Sequence, residues 1–135
     1  MTHRLIKIRS YLIEIAKNND TVFYSDLSKV LNLGYDFSND SKDGILFGNE
    51  LSEISRYEIN KGRPLLTVIV VNKLKDKNYN QHLPSKMFYN KTKRFKQYKT
   101  DFRTKTNLEI FNEQSKLLFD FWSDSQNYEK YKDFK

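Results

Sequence analysis

The 135-residue sequence has no cysteine. That excludes disulfides, zinc–thiolate centres and thiol nucleophiles. Histidine is nearly as scarce: His3 lies near the N-terminus and His82 in a polar stretch, and neither has a partner His or Cys at ligand spacing, so no metal site is expected. The four glycines, Gly34, Gly44, Gly48 and Gly62, are isolated from one another, which leaves no glycine-rich phosphate loop and no cofactor motif. The longest apolar run, Val68 to Val71 with Leu65 and Leu66 just ahead of it, is far too short to span a bilayer. The opening MTHRLIKIRSYL scatters charges where a signal peptide would be continuously apolar. These absences predict a cytoplasmic protein with no membrane partner.

Aromatic side chains are plentiful. Ten Phe and nine Tyr bring the aromatic share to 15%, enough ring surface for a packed core and wrong for disorder. The length fits one domain. The net charge is +7 and unevenly placed. From Lys73 to Lys105 there are eleven basic residues against Asp76 and Asp101, a net +9, while the rest of the chain carries −2. Such asymmetry points to a polyanionic partner, the ordinary alternative being a solvated surface.

Periodicity predicts a first helix over about Arg4–Lys17, with Leu5, Ile8, Leu12 and Ile15 on one face. Thr21 to Tyr24 suits a brief extended segment. Ser25 is a candidate N-cap for a second helix that buries Leu27, Val30 and Leu31, and Gly34 is suited to closing it. After a polar loop from Tyr35 to Ser41, a third helix is expected over about Asp43–Asn60. It buries Phe47, Leu51 and Ile54 and turns Asn49, Ser52, Glu53, Arg56 and Asn60 outward. Gly48 inside this helix costs about 1 kcal/mol relative to Ala and calls for a packing reason. Leu65 to Asn72 reads as a buried strand, Lys73 to Gln81 as a basic loop and Lys86 to Tyr89 as a returning strand. The run KTKRFKQYKTDFRTK is ambiguous. A last helix follows a Thr106-x-x-Glu109 capping box, with Leu108, Phe111, Ser115, Leu118 and Trp122 on one face. Tyr128, Tyr131 and Phe134, three apart, suit a short helical turn. Three helices followed by a β-hairpin give an α+β winged helix-turn-helix with an added C-terminal helix. Residues 1–90 would form the winged-helix part, and 91–135 a basic connector and helix packed on it in the same domain.

Three segments in this order carry a family likeness: Thr21-Val22-Phe23-Tyr24-Ser25-Asp26-Leu27, Ile45-Leu46-Phe47-Gly48-Asn49-Glu50-Leu51 and Pro64-Leu65-Leu66-Thr67-Val68-Ile69-Val70-Val71. Over roughly residues 5–72 the pattern resembles the winged-helix domain of the O6-alkylguanine-DNA alkyltransferases and alkyltransferase-like proteins. It also resembles a group of small uncharacterised bacterial proteins, through Gly48, Leu51, Glu53, Ile54 and Ser55 followed by Gly62, Arg63, Pro64, Leu65 and Leu66, from the first helix through the Trp122 helix. The first resemblance implies a DNA-binding shape and assigns its tyrosine ahead of the second helix to Tyr24. The alkyltransferase Pro-Cys-His-Arg has no counterpart, Val70-Val71-Asn72-Lys73 standing in that region, so alkyl transfer to a thiolate is excluded. Ile45 stands where that family has the arginine that fills the gap left by a flipped base.

The candidate nucleic-acid site has three parts. Lys73, Lys75 and Lys77 stand at the hairpin tip. Lys91, Lys93, Arg94, Lys96 and Lys99 are interleaved with Phe95 and Tyr98, so phosphate neutralisation with base stacking is one reading, and core packing of the two rings the other. Asn49, Ser52, Arg56 and Asn60 face base edges in the third, since Asn pairs with adenine and Arg with guanine, and the alkyltransferase resemblance adds Tyr24 to the nucleic-acid-binding set. Asp43, Glu50, Glu53 and Glu58 share that helix and would repel phosphate unless turned away. The acidic pairs Glu50/Glu53 and Asp120/Asp124 read as surface charge, leaving no catalytic residues assigned. The expected function is therefore a non-enzymatic nucleic-acid-binding protein with DNA as partner. The alternative is a protein-interaction module, an inhibitor or adaptor, with Phe111, Leu118, Phe119, Phe121 and Trp122 offering a partner or homodimer surface if they are not core.

Overall fold

A computed structural model describes residues 1–37 and 41–133. Helix α1 spans His3–Lys17, strand β1 Val22–Phe23, α2 Tyr24–Val30, α3 Ser41–Asn60, β2 Val70–Val71, α4 Lys86–Thr92, α5 Asn107–Ser123 and α6 Ser125–Tyr131. Two 3-10 turns, Leu66–Ile69 and Asp101–Thr104, complete the regular structure. The α+β class expected from the sequence holds. Among the described residues no helix is long and apolar enough to cross a membrane.

The centre of the molecule is the run from Leu65 to Val71, buried at every position. Its 3-10 turn is packed by α1, α3 and α5, and a segment enclosed on all sides has no use for alternating polar residues. The expected long strand is thereby corrected: within it only Val70 and Val71 form a strand, and they pair in parallel with Val22 and Phe23. Around this centre α1 contributes Leu5, Ile8, Leu12 and Ala16, α3 contributes Phe47, Leu51 and Ile54, and α5 contributes Phe111, Leu118 and Trp122. The α5 stripe is thus core, with Leu117 left exposed on its outer side. A second cluster joins Ile59, Leu65, Tyr89, Phe95, Phe102 and Ile110, and ties the basic connector to α3 and α5.

The helix ends follow local chemistry. Thr2 caps α1 by accepting from Leu5 N at 3.2 Å, and Thr106 with Glu109 forms the expected capping box of α5. The second helix departs from expectation. It begins at Tyr24, with Phe23 in the cap position, so Ser25 is not its N-cap. Val30 is exposed and Ser28 buried; the two lie about 80° to either side of the arc centred by Leu27 and Leu31, and only the Ser28 side is covered. Asn32, at φ 52°, closes the helix, with Leu33 N donating to Ser28 O at 2.9 Å. Gly34 is also left-handed, but beyond the helix end.

The largest correction concerns Lys86 to Tyr89. These residues begin α4 and form no strand, so no hairpin returns from residues 73–81. Ser85 caps α4 by accepting from Phe88 N at 3.4 Å, and Tyr89 and Thr92, three residues apart, face inward. The preceding excursion closes on itself through Asn72 N to Leu83 O at 2.9 Å and an antiparallel Asp76–Gln81 bridge. At the other end of the chain, α6 accommodates Tyr128 and Tyr131; Phe134 lies outside the described residues, as do positions 38–40 of the expected polar loop.

A buried charge cluster fastens α1, α3 and the C-terminal segment together. Glu58, 0% exposed, accepts from Arg9 Nε at 2.9 Å and from Arg63 Nε and Nη2 at 3.0 Å each. Arg9 also donates to the carbonyls of Tyr131 and Lys132 at 2.8 and 3.1 Å. Burial pulls the Arg63 guanidinium down, but the Glu58 carboxylate outweighs it and the net shift is upward.

Candidate functional site

Helix α3 has one buried face and one open face, and α4 lies beside it. The contact turns on Gly48: a methyl group there would overlap the Met87 Sδ, so glycine lets the Met87 side chain seat against the helix. That is the packing reason its position demanded, and the flank that approaches is a side chain rather than backbone. The seating brings Lys91 opposite Ser52 and Arg56. Ser52, Arg56, Asn60, Lys91, Arg94 and Lys96 line a groove floored by Ile59 and Phe95. A second groove continues from it, sharing Ser52, Arg56 and Lys91, and adds Asn49, Leu46, Glu50, Glu53 and Tyr35. Seven of the expected site residues therefore lie along one continuous depression.

Among the described residues the groove cations form no ion pairs. Of the eleven basic residues from Lys73 to Lys105, Lys105 alone forms ion pairs among the described residues, with Asp101 at 3.2 Å and Glu113 at 2.7 Å. Arg56 places its guanidinium 5.8 Å from the Phe95 ring centroid, a cation–π contact that leaves its charge unneutralised. The acidic residues of α3 are largely diverted. Glu58 is inside the core. Glu50 accepts from Arg4 Nε at 2.7 Å and from the Tyr35 hydroxyl, and Asp43 accepts from Asp36 N at 2.7 Å. Burial, followed by the Glu50 hydrogen bond, pushes the Tyr35 phenol up, while Glu50 raises the Arg4 pKa. Glu53 stays exposed on the groove wall.

Comparison with protein-family models, curated proteins and solved structures finds no match to this chain.

The other expected site residues are placed elsewhere. Lys73 lies at the start of the excursion, 5.9 Å from the Phe23 ring centroid, and lines a separate depression with Tyr24, Gly44, Gly48 and Ser85. Lys75 and Lys77 are exposed farther along the excursion, and Lys93 and Lys99 do not line the groove. Tyr24 acts as a latch: its hydroxyl donates to Ser85 Oγ at 3.3 Å and accepts from Ser85 N at 3.0 Å, joining α2 to the cap of α4. Burial raises its pKa, opposed by those bonds.

Of the two readings of the connector aromatics, the structure favours core packing. Phe95 is buried, and Tyr98 stacks on buried Phe102 with centroids 4.5 Å apart. Both rings are used by the second core cluster, which leaves their basic neighbours outside. Of the carboxylate pairs, Asp120 and Asp124 are engaged separately: Asp120 pairs with Lys116 at 2.9 Å, and Asp124 caps α6 by accepting from Gln126 N and Asn127 N at 2.9 and 3.1 Å. Glu50 and Glu53 share the groove, but Glu50 is held by Arg4. Among the described residues no group of three or more His, Asp or Glu could hold a metal ion. His82 holds the excursion, its Nδ1 3.0 Å from Asn72 O.

Sequence reasoning missed Gln97 on the groove and the role of Arg4 in neutralising Glu50. It also missed α4, whose signal was present: Pro84-Ser85 ahead of Lys86 is an N-cap pattern.

Proposed function

We propose that the protein binds double-stranded DNA without catalysing a reaction, as a winged-helix type of scaffold in which the 72–83 excursion takes the place of the wing. Arg56, Lys91, Arg94 and Lys96 hold phosphates, and Asn49, Ser52 and Asn60 on α3 face the base edges. The observation that carries the reading is the convergence on one groove of Arg56, Lys91, Arg94 and Lys96, none of them ion-paired among the described residues, beside a helix whose Asp43 and Glu58 are engaged elsewhere and whose Glu50 is neutralised by Arg4, which leaves Glu53 as the one acid of α3 on the groove without an ion pair among the described residues. The likeness of residues 5–72 to the winged-helix domain of the alkyltransferases supports the same assignment.

Phosphate contacts release counterions, so affinity falls with salt by about 0.9 log units per contact for each tenfold rise in concentration. Fluorescence anisotropy on a mixed-sequence duplex at several salt concentrations tests this. The wild type is expected to bind with a steep slope, and Arg56→Gln/Lys91→Gln/Arg94→Gln/Lys96→Gln to lower that slope by about 3 to 4. The absence of salt-sensitive duplex binding at low ionic strength refutes the reading. A nuclease-resistant complex with a protein would then favour the adaptor alternative.

A further inference from the structure

Leu74 is 86% exposed, more than any other large apolar side chain among the described residues. It stands between Lys73 and Lys75, with Lys77 two positions beyond, and among the described residues none of the three lysines makes an ion pair. The support beneath it is ordered by hydrogen bonds. Asn72 N donates to Leu83 O at 2.9 Å, Asp76 N to Gln81 O at 2.8 Å, and Asn80 N to Asp76 O at 2.8 Å. The Asp76 carboxylate also accepts from Asn78 N at 2.8 Å. A leucine held in water on a braced tip does nothing for the core below it.

The complementary surface must offer an apolar slot bordered by anions. Stacked base pairs flanked by phosphates have that chemistry, and aliphatic wedges open base steps in this way. An anionic lipid surface also combines apolar and negative groups, but stable interfacial binding draws on a whole apolar helix face, and the tip supplies one side chain. Position supports the duplex as well: Lys73 shares a depression with Gly44 and Gly48, so the excursion flanks the N-terminal half of α3, while the cationic groove runs toward Asn60.

We propose that Leu74 is a wedge that inserts between base pairs of a bound duplex, with Lys73, Lys75 and Lys77 on the adjoining phosphates. The proposal rests on the DNA-binding reading above and adds deformation of the duplex to it.

Duplexes carrying 2-aminopurine at T–A steps test it, because unstacking raises the fluorescence of that base. Wild type is expected to raise the signal. Leu74→Ala should abolish the rise and weaken binding by about tenfold, the scale of one buried leucine, with the salt slope unchanged. Lys73→Gln/Lys75→Gln/Lys77→Gln should lower the slope by about 3. Thermal melting of Leu74→Ala should match wild type, since the side chain lies outside the core. Wild-type binding with a full salt slope but no fluorescence rise, or a Leu74→Ala protein with undiminished signal and affinity, overturns the wedge and leaves the DNA-binding reading standing. No salt-sensitive duplex binding by wild type defeats both. Leu74-dependent capture on phosphatidylserine vesicles without duplex unstacking overturns the wedge in favour of a membrane contact.

Discussion

The two faces of α3 treat charge in opposite ways. On the inner face Glu58 is clamped by Arg9 and Arg63, with every member of the cluster buried and hydrogen-bonded. On the outer face Arg56 and Lys91 share a groove in which neither forms an ion pair among the described residues, although Glu53 stands on the same wall. Burying a charge is costly unless a partner is present, so the inner cluster must be complete for the fold to stand. The outer cations are solvated and free of that requirement, and their mutual repulsion offers the fold nothing. Charge of the first kind answers to stability; charge of the second kind is what the proposed binding of DNA would use.

The most severe way to probe this contrast is Glu58→Gln. The substitution keeps the shape and removes the one anion shared by two buried guanidiniums. Breaking such a cluster is expected to cost about 3 to 5 kcal/mol in urea denaturation. The four-residue groove variant, which removes four charges instead of one, should stay within about 0.5 kcal/mol of wild type. If the groove variant proves as destabilised as Glu58→Gln, the groove cations serve the fold and the contrast fails.

A middle-sized effect is expected at Gly48, where the two regions are joined. Alanine should gain up to about 1 kcal/mol of helix propensity, but it must displace Met87, and overpacking costs about 1 to 3 kcal/mol. The net expectation is a loss of about 1 kcal/mol, accompanied by weaker duplex binding, because α4 carries Lys91. In a Met87→Ala background the Gly48→Ala step should become neutral or stabilising, and a double-mutant cycle measures the coupling. Additive effects would mean that Gly48 is not where α4 is seated.

Much of the fold was legible because its signals are local. The period of α1, the outward and inward faces of α3 and the Thr106 capping box each depend on residues within a turn or two of one another. The cationic groove was legible only in part. Asn49, Ser52, Arg56 and Asn60 share a helix face, but their meeting with Lys91, Arg94 and Lys96 depends on how α4 packs, which no local pattern encodes. The hairpin expectation failed at a point where two local signals competed: Met87, Phe88 and Tyr89 suit a strand by composition, and Ser85 starts a helix by capping. Tertiary packing of Tyr89 and Thr92 decided for the helix. The two readings of Phe95 and Tyr98 stayed open because a ring flanked by lysines looks the same in sequence whether it faces solvent or core.

The smallest expected effect lies at a paired charge on the surface. The Tyr128 hydroxyl donates to the Glu14 carboxylate, and its ring holds Lys17 Nζ at 3.8 Å from the centroid. The Glu14 hydrogen bond, with a lesser contribution from burial, pushes its pKa up to about 12. In the unfolded chain the phenol ionises near its ordinary value of about 10, so between the two values the unfolded state has lost a proton that the folded state keeps. The contribution is therefore fully present below pH about 10 and is lost as pH rises through about 12. The fall of melting temperature over that interval should be shallower in Tyr128→Phe than in wild type, and Glu14→Gln should return the phenol toward its ordinary range in an absorbance titration. Because the group is solvated, the change should be smaller than either effect above. An identical alkaline slope in wild type and Tyr128→Phe would mean that this bond contributes nothing measurable to folding, which would confine the stabilising role of ion pairing to the cluster around Glu58.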